Sequence, residues 1–172
     1  MKTRDEAIDI LERGHGTVRR LTEQIPLPWM ARPGIGGGDW TPKDLLGHLC
    51  FWEENVVDAL ESWSVGQRAT IDREIAASSI AAINAEGVRR RARYPLAHVV
   101  REWEHVHGEL IRAIRAMPDA RWERPATRRS RRSVGHRMGQ LLSGRGPFDH
   151  ADAHVKDLEA FVLAIPEDER SA

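Results

Sequence analysis

The segment Asp149-His150-Ala151-Asp152-Ala153-His154 carries two histidines four residues apart, in a stretch that reads as a helix. Helical rotation of about 100° per residue separates them by about 40°. Their Cβ atoms then lie about 6 Å apart on one face, so both imidazoles can reach one divalent ion. A third histidine, His48, falls on a second predicted helix. If those helices pack together, three imidazoles converge and leave an open coordination position, which metal-assisted chemistry requires. Three neutral ligands also leave the ion its full charge. Such a centre lowers the pKa of bound water and polarises a bound oxygen or thiol. The bland alternative is that the same spacing arises by chance in a chain with eight histidines, as solvated or hydrogen-bonded side chains.

The elements that must position these residues are helical. Residues 3–25 place Ile8, Leu11, Val18, Leu21 and Ile25 at helical spacing, and Pro26 and Pro28 end the segment. Residues 26–39 read as a glycine-rich connection without a phosphate-loop pattern. Thr41-Pro42-Lys43-Asp44 is a helix start, with Thr41 as N-cap, Pro42 at N1 and Asp44 as the acidic member of a capping box. That helix runs to about Trp63. A short helix is expected at 70–76 and longer ones at 80–93 and from Leu96 to about Met117, interrupted by Pro95. Residues 119–147 read as a long connection, with a short helix around Gly135–Leu142. The last helix is expected over Phe148–Ile165. With no period-2 strand, the expected fold is all-α, a four-helix bundle with a long crossover connection, forming one domain over residues 1–172.

Other residues invite weaker readings. Asp149, Asp152 and Glu53 are near enough in sequence to serve as outer acceptors for the ligating rings. Glu53 is the one catalytic candidate, against a snorkelling glutamate at the end of the helices. His15 and His107 lie on apolar stripes and read as satisfied core histidines, while His98 and His105 read as solvated. Trp52, Trp63 and Trp103 occupy core positions, Trp40 suits a hydrophobic staple, and Trp29 and Trp122 are candidates to line a pocket. Cys50 lies on the less apolar side of its helix, and no G-x-S-x-G elbow is present, so acyl transfer is not supported.

Composition narrows the classes. The 26 basic and 26 acidic residues cancel, so a nucleic-acid partner is not expected. The arginine-rich 121–137 segment, with Arg128, Arg129, Arg131 and Arg132, reads as a solvated loop before a nucleic-acid, phosphate or carboxylate site. A single cysteine permits no intrachain disulfide. The charged start at Met1-Lys2-Thr3-Arg4 lacks the apolar core of a signal peptide, and no run reaches a membrane span. A cytoplasmic location without membrane association is expected.

The stretch Asp39-Trp40-Thr41-Pro42-Lys43-Asp44-Leu45-Leu46-Gly47-His48-Leu49-Cys50-Phe51-Trp52-Glu53 resembles the W-[ST]-x-K-D-x-L-x-H-L-x-x-W-E segment of DinB-like (YfiT-like) proteins, most closely the ClbS/DfsB branch. Asn84-Ala85-Glu86 with Arg91, Pro95-Leu96 and Val99 is similar to that branch's middle region. Phe148-Asp149-His150-Ala151-Asp152-Ala153-His154 is similar to its D-H-Y-x-E-H segment, with a departure from Ala151 onward that leaves the substrate open. The resemblance implies a four-helix bundle holding zinc or nickel, or manganese or iron, on His48, His150 and His154. It implies a small-molecule substrate and either hydrolysis of a toxin or transfer and isomerisation with a low-molecular-weight thiol. A non-catalytic metal- or ligand-binding stress protein is the rival expectation, and unused helical faces leave room for a homodimer.

Overall fold

A computed structural model describes residues 2–170. Among these residues there is no strand; one isolated bridge pairs Pro125 with Ser133. Four long helices dominate: α1 (Arg4–Thr22), α2 (Pro42–Ser64), α5 (Leu96–Ala116) and α8 (His150–Ala164). Shorter ones are α3 (Thr70–Ala77), α4 (Ile80–Ala92), α6 (Asp119–Glu123), α7 (Val134–Leu141) and α9 (Glu167–Arg170). The predicted connection at 26–39 contains two 3₁₀ turns, Leu27–Ala31 and Ile35–Gly37.

Local chemistry sets the helix starts. Thr41 accepts a hydrogen bond from the Asp44 backbone N–H while the Asp44 carboxylate accepts from the Thr41 backbone N–H, a reciprocal cap with Pro42 at the first helical position. Thr3 and Glu6 build the same device on α1. The last helix starts two residues later than its periodicity predicts. Phe148 has φ +70°, a left-handed conformation that a bulky residue rarely adopts, so it cannot be helical. Its buried ring stacks on Trp122 at 5.8 Å, and that packing holds the turn.

Helix α2 is the central element, packed against α5, α4 and α8, while α1 packs against α8 and α5. Gly14 allows the close approach of α1 to α8: a Cβ there would sit 3.1 Å from that of Ala151. Two apolar clusters fill the interior, one around Trp52, Trp63, Leu110 and Ile114, the other around Leu45, Trp103, Leu158 and Phe161. Trp63 and Trp103 are almost fully buried, and truncating either to alanine costs about 3–5 kcal/mol. Arg91, on α4, is buried between Glu54 of α2 and Glu102 of α5, with oxygens at 3.0 Å from each, and ties the three helices together. Cys50 is wholly buried, not on a less apolar side as its sequence neighbours suggest, and burial pushes its thiol pKa up to about 12. It is therefore unreactive as a nucleophile. No helix among the described residues is long and apolar enough to cross a membrane.

Candidate metal centre

His48 sits in the middle of the buried half of α2, and His150 and His154 occupy the first two turns of α8. The helices bring the three rings together. Their ring centroids form a nearly even triangle: 4.8 Å for His48–His150, 5.3 Å for His48–His154 and 5.2 Å for His150–His154. The ring planes stand at 72°, 85° and 68° to one another, so none stacks on another. In that arrangement the in-plane lone pairs can aim at one point. One nitrogen from each lies within 4.8 Å of the others, and the Nε2 atoms of His48 and His150 are 3.0 Å apart.

The electrostatics suit ligands. Burial drives the His48 pKa down to about 2, helped by repulsion from His150 and His154. Burial also lowers His150 to about 3, and lowers His154 against the opposing pull of Asp157. All three imidazoles are neutral at ordinary pH, the form that binds metal. The donor set fits a divalent ion: three neutral imidazoles, each with one nitrogen within reach of the others.

The loop before α8 fixes where His150 stands. The His150 backbone N–H donates to Leu142 O at 3.1 Å, and the Gly144 N–H donates to the Asp149 carboxylate at 2.8 Å. Gly144 presses on α8 between the two histidines. A Cβ at 144 would lie 2.3 Å from that of Ala153, so only glycine permits this approach. The cluster opens into a cleft of about 520 Å³ bounded by Trp40, Trp52, Ile80, Asn84, Leu141 and Arg145. Trp40 is more than a staple: its ring lies 4.8 Å from that of His48. Trp52 lies 6.3 Å from His150 and donates its indole N–H to Asn84 Oδ1 at 3.0 Å. Arg145 is the one Arg or Lys among the lining residues, and it is exposed.

Several sequence expectations need correcting. None of the three acidic candidates hydrogen-bonds to the three histidines. Asp149 serves the loop through Gly144, Asp152 meets Arg13 at 3.4 Å, and Glu53 lies 3.0 Å from His107 Nδ1. Glu53 is buried at 7% exposure, so it does not snorkel either. Its place within the apolar arc of α2 is legible in the sequence, but the α5 partner that claims it is not. Trp29 and Trp122 line no cleft at this centre: Trp29 donates to Glu169, and Trp122 donates to the Lys2 carbonyl. His15 and His107 are buried and each faces a glutamate, as core histidines do. His98 and His105 are exposed. The arginines at 128, 129, 131 and 132 border a broad surface groove with Arg68 and Arg137 and stand apart from the histidines.

No curated protein and no solved structure matches the chain. A family model does: that of the DinB superfamily, over residues 10–143, a span that takes in His48 and ends before His150 and His154. On that match, over most of its length, the chain belongs to the DinB superfamily.

Proposed function

We propose that the protein is a divalent-metal-dependent enzyme in which His48, His150 and His154 hold the ion. The observation that carries this reading is the triangle of mutually edge-on, neutral imidazoles opening into a cleft. A divalent ion at such a site supplies Lewis-acid activation of water or of a low-molecular-weight thiol. The protein's own groups do the rest. Trp40 and Trp52 wall the histidines and restrict solvent. Asn84, whose carbonyl is occupied by Trp52, offers its NH₂ as a donor. Arg145 offers a positive charge at the rim. The small residue Ala153 of α8 leaves the cleft room for substrate.

We read α1, α2, α5 and α8 as a four-helix bundle in one domain, with residues 117–149 as the long crossover. Hydrolysis, as in the ClbS/DfsB branch that the motifs resemble, is the first reaction to test, and thiol transfer the second. Zinc and nickel are the first metals to test. Protein purified without an affinity tag should carry stoichiometric metal by elemental analysis, lost in His150→Ala/His154→Ala. Equal metal in parent and variant refutes the site. Turnover of electrophilic substrates with and without added thiol, in metal-loaded and metal-stripped protein, then separates the two reactions. Absence of any metal-dependent turnover favours a ligand-holding role.

A further inference from the structure

A second group of ligand-bearing side chains stands apart from the three histidines. His15 of α1, Glu53 of α2 and His107 of α5 are all buried, and one ligand atom from each lies within 4.8 Å of the others. His15 Nε2 is 3.1 Å from the Glu104 carboxylate. An ionised carboxylate only accepts, so a neutral His15 donates from Nε2 and keeps its lone pair on Nδ1. That Nδ1 is buried and has no hydrogen-bond partner. Glu53 repeats the pattern: Oε1 meets His107 Nδ1 at 3.0 Å, while Oε2 is buried and unpartnered. Native proteins rarely leave such atoms unpaired, and two in one cluster of three ligand types point to a bound species.

We propose that His15, Glu53 and His107 form a second site for a divalent first-row transition ion, weaker than the three-histidine site. Two imidazoles and one carboxylate are a donor set used by zinc and by non-haem iron. Glu104 supplies the outer acceptor that fixes the His15 tautomer. An open groove of about 500 Å³ between α1 and α5 reaches His15 and His107 beside Gly16 and Gly108, giving an ion a path from solvent.

The two rings stack at 3.7 Å with only 16° between their planes, and His15 also stacks on Trp103 at 4.0 Å. Parallel rings do not aim at one point. Bonds of about 2.0–2.2 Å draw the donors closer than they now lie, and one ring must turn about χ2, a broad torsion. A His107 bonded through Nδ1 carries its proton on Nε2, so coordination there replaces the hydrogen bond to Glu53 without loss of a proton. This reordering makes the second equivalent at least about tenfold weaker than the first.

The test is zinc titration of tag-free, chelator-stripped protein, with bound metal counted after equilibrium dialysis. The parent is expected to bind two equivalents, one tight and one weak. His48→Ala/His150→Ala/His154→Ala should keep only the weak one. Glu53→Gln, which preserves size and an acceptor for His107, should keep only the tight one; His15→Gln reads the same loss if Glu53→Gln does not fold. Saturation of the parent at one equivalent that Glu53→Gln leaves in place, or two equivalents in the folded Glu53→Gln variant, overturns the proposal. Different variants remove the two equivalents, so failure of this site and failure of the three-histidine site are distinguishable.

Discussion

The molecule contains two histidine clusters, one partly buried and one fully buried, that differ in geometry. At the His48 cluster three rings stand edge-on to one another, with interplanar angles of 68° to 85°, and no carboxylate bonds to any of them. At the His15 cluster two rings lie parallel at 16°, each beside a glutamate. The first arrangement brings one nitrogen of each ring within 4.8 Å of the others and leaves the buried His48 Nδ1 without a protein partner. The second engages its imidazoles in stacking and hydrogen bonds, and keeps two buried unpaired atoms, His15 Nδ1 and Glu53 Oε2. Histidine content therefore does not by itself distinguish the two arrangements, one proposed to hold an ion as it stands and one proposed to open before it binds. Ring orientation does, because coordination is directional and burial is not.

The largest expected difference between the clusters is in tight metal binding. His48→Ala should weaken the tight zinc equivalent by more than about 100-fold, the upper range for losing even an outer partner of a ligand. His107→Ala should leave that equivalent within about twofold. Competition against a chelating dye reads both values, and equal weakening by the two substitutions would erase the distinction.

Stability should show the reverse order. Glu53→Ala strips His107 of its buried partner and should cost about 1–3 kcal/mol in urea unfolding of metal-free protein. His154→Ala removes a half-buried ring with no hydrogen bond to the protein, and should cost under about 1 kcal/mol. A larger loss at His154 than at Glu53 would mean that the three-histidine cluster also holds the fold together.

The pH response gives a third separation. In metal-free protein His15 is held neutral down to about pH 4 and His48 to about pH 2, chiefly by burial. The unfolded chain protonates both near 6.5, so it binds more protons below that pH, and stability rises with pH. The contribution is complete above pH 6.5 and is lost on acidification toward each folded-state pKa. Each histidine contributes a slope of about 1.4 kcal/mol per pH unit. Between pH 6.5 and 4, His15→Gln and His48→Gln should each flatten the unfolding curve by about that amount. Below pH 4 the His15 variant should run parallel to the parent and the His48 variant should not. Identical behaviour below pH 4 would mean that the two environments do not differ.

The smallest effect is expected at the rim. Arg145→Ala should change unfolding free energy by no more than about 0.5 kcal/mol and leave both zinc equivalents in place, because the side chain is exposed. A shift in metal binding would show that Arg145 belongs to the centre and not to its surroundings.

Much of the scaffold and part of the site are legible in the residues alone. Thr41, Pro42 and Asp44 announce the start of α2 because capping is local chemistry within four residues. The i, i+4 spacing of His150 and His154 places both on one face whatever surrounds them. The pairing of His48 with them was an inference from two apolar stripes, and the packing of α2 with α8 brings the three rings together. Other features arise only from packing between distant segments. That Glu53 turns to His107 and not to His48 depends on how α5 lies against α2, which no local pattern encodes. The late start of α8 depends on Phe148 finding Trp122, a partner 26 positions earlier. Trp40 reaches the His48 ring for the same kind of reason. Gly144 reads as one more loop glycine until Ala153 is packed against it. Capping and periodicity are properties of neighbouring residues, whereas ring orientation, second partners and close approach belong to pairs that only folding brings together.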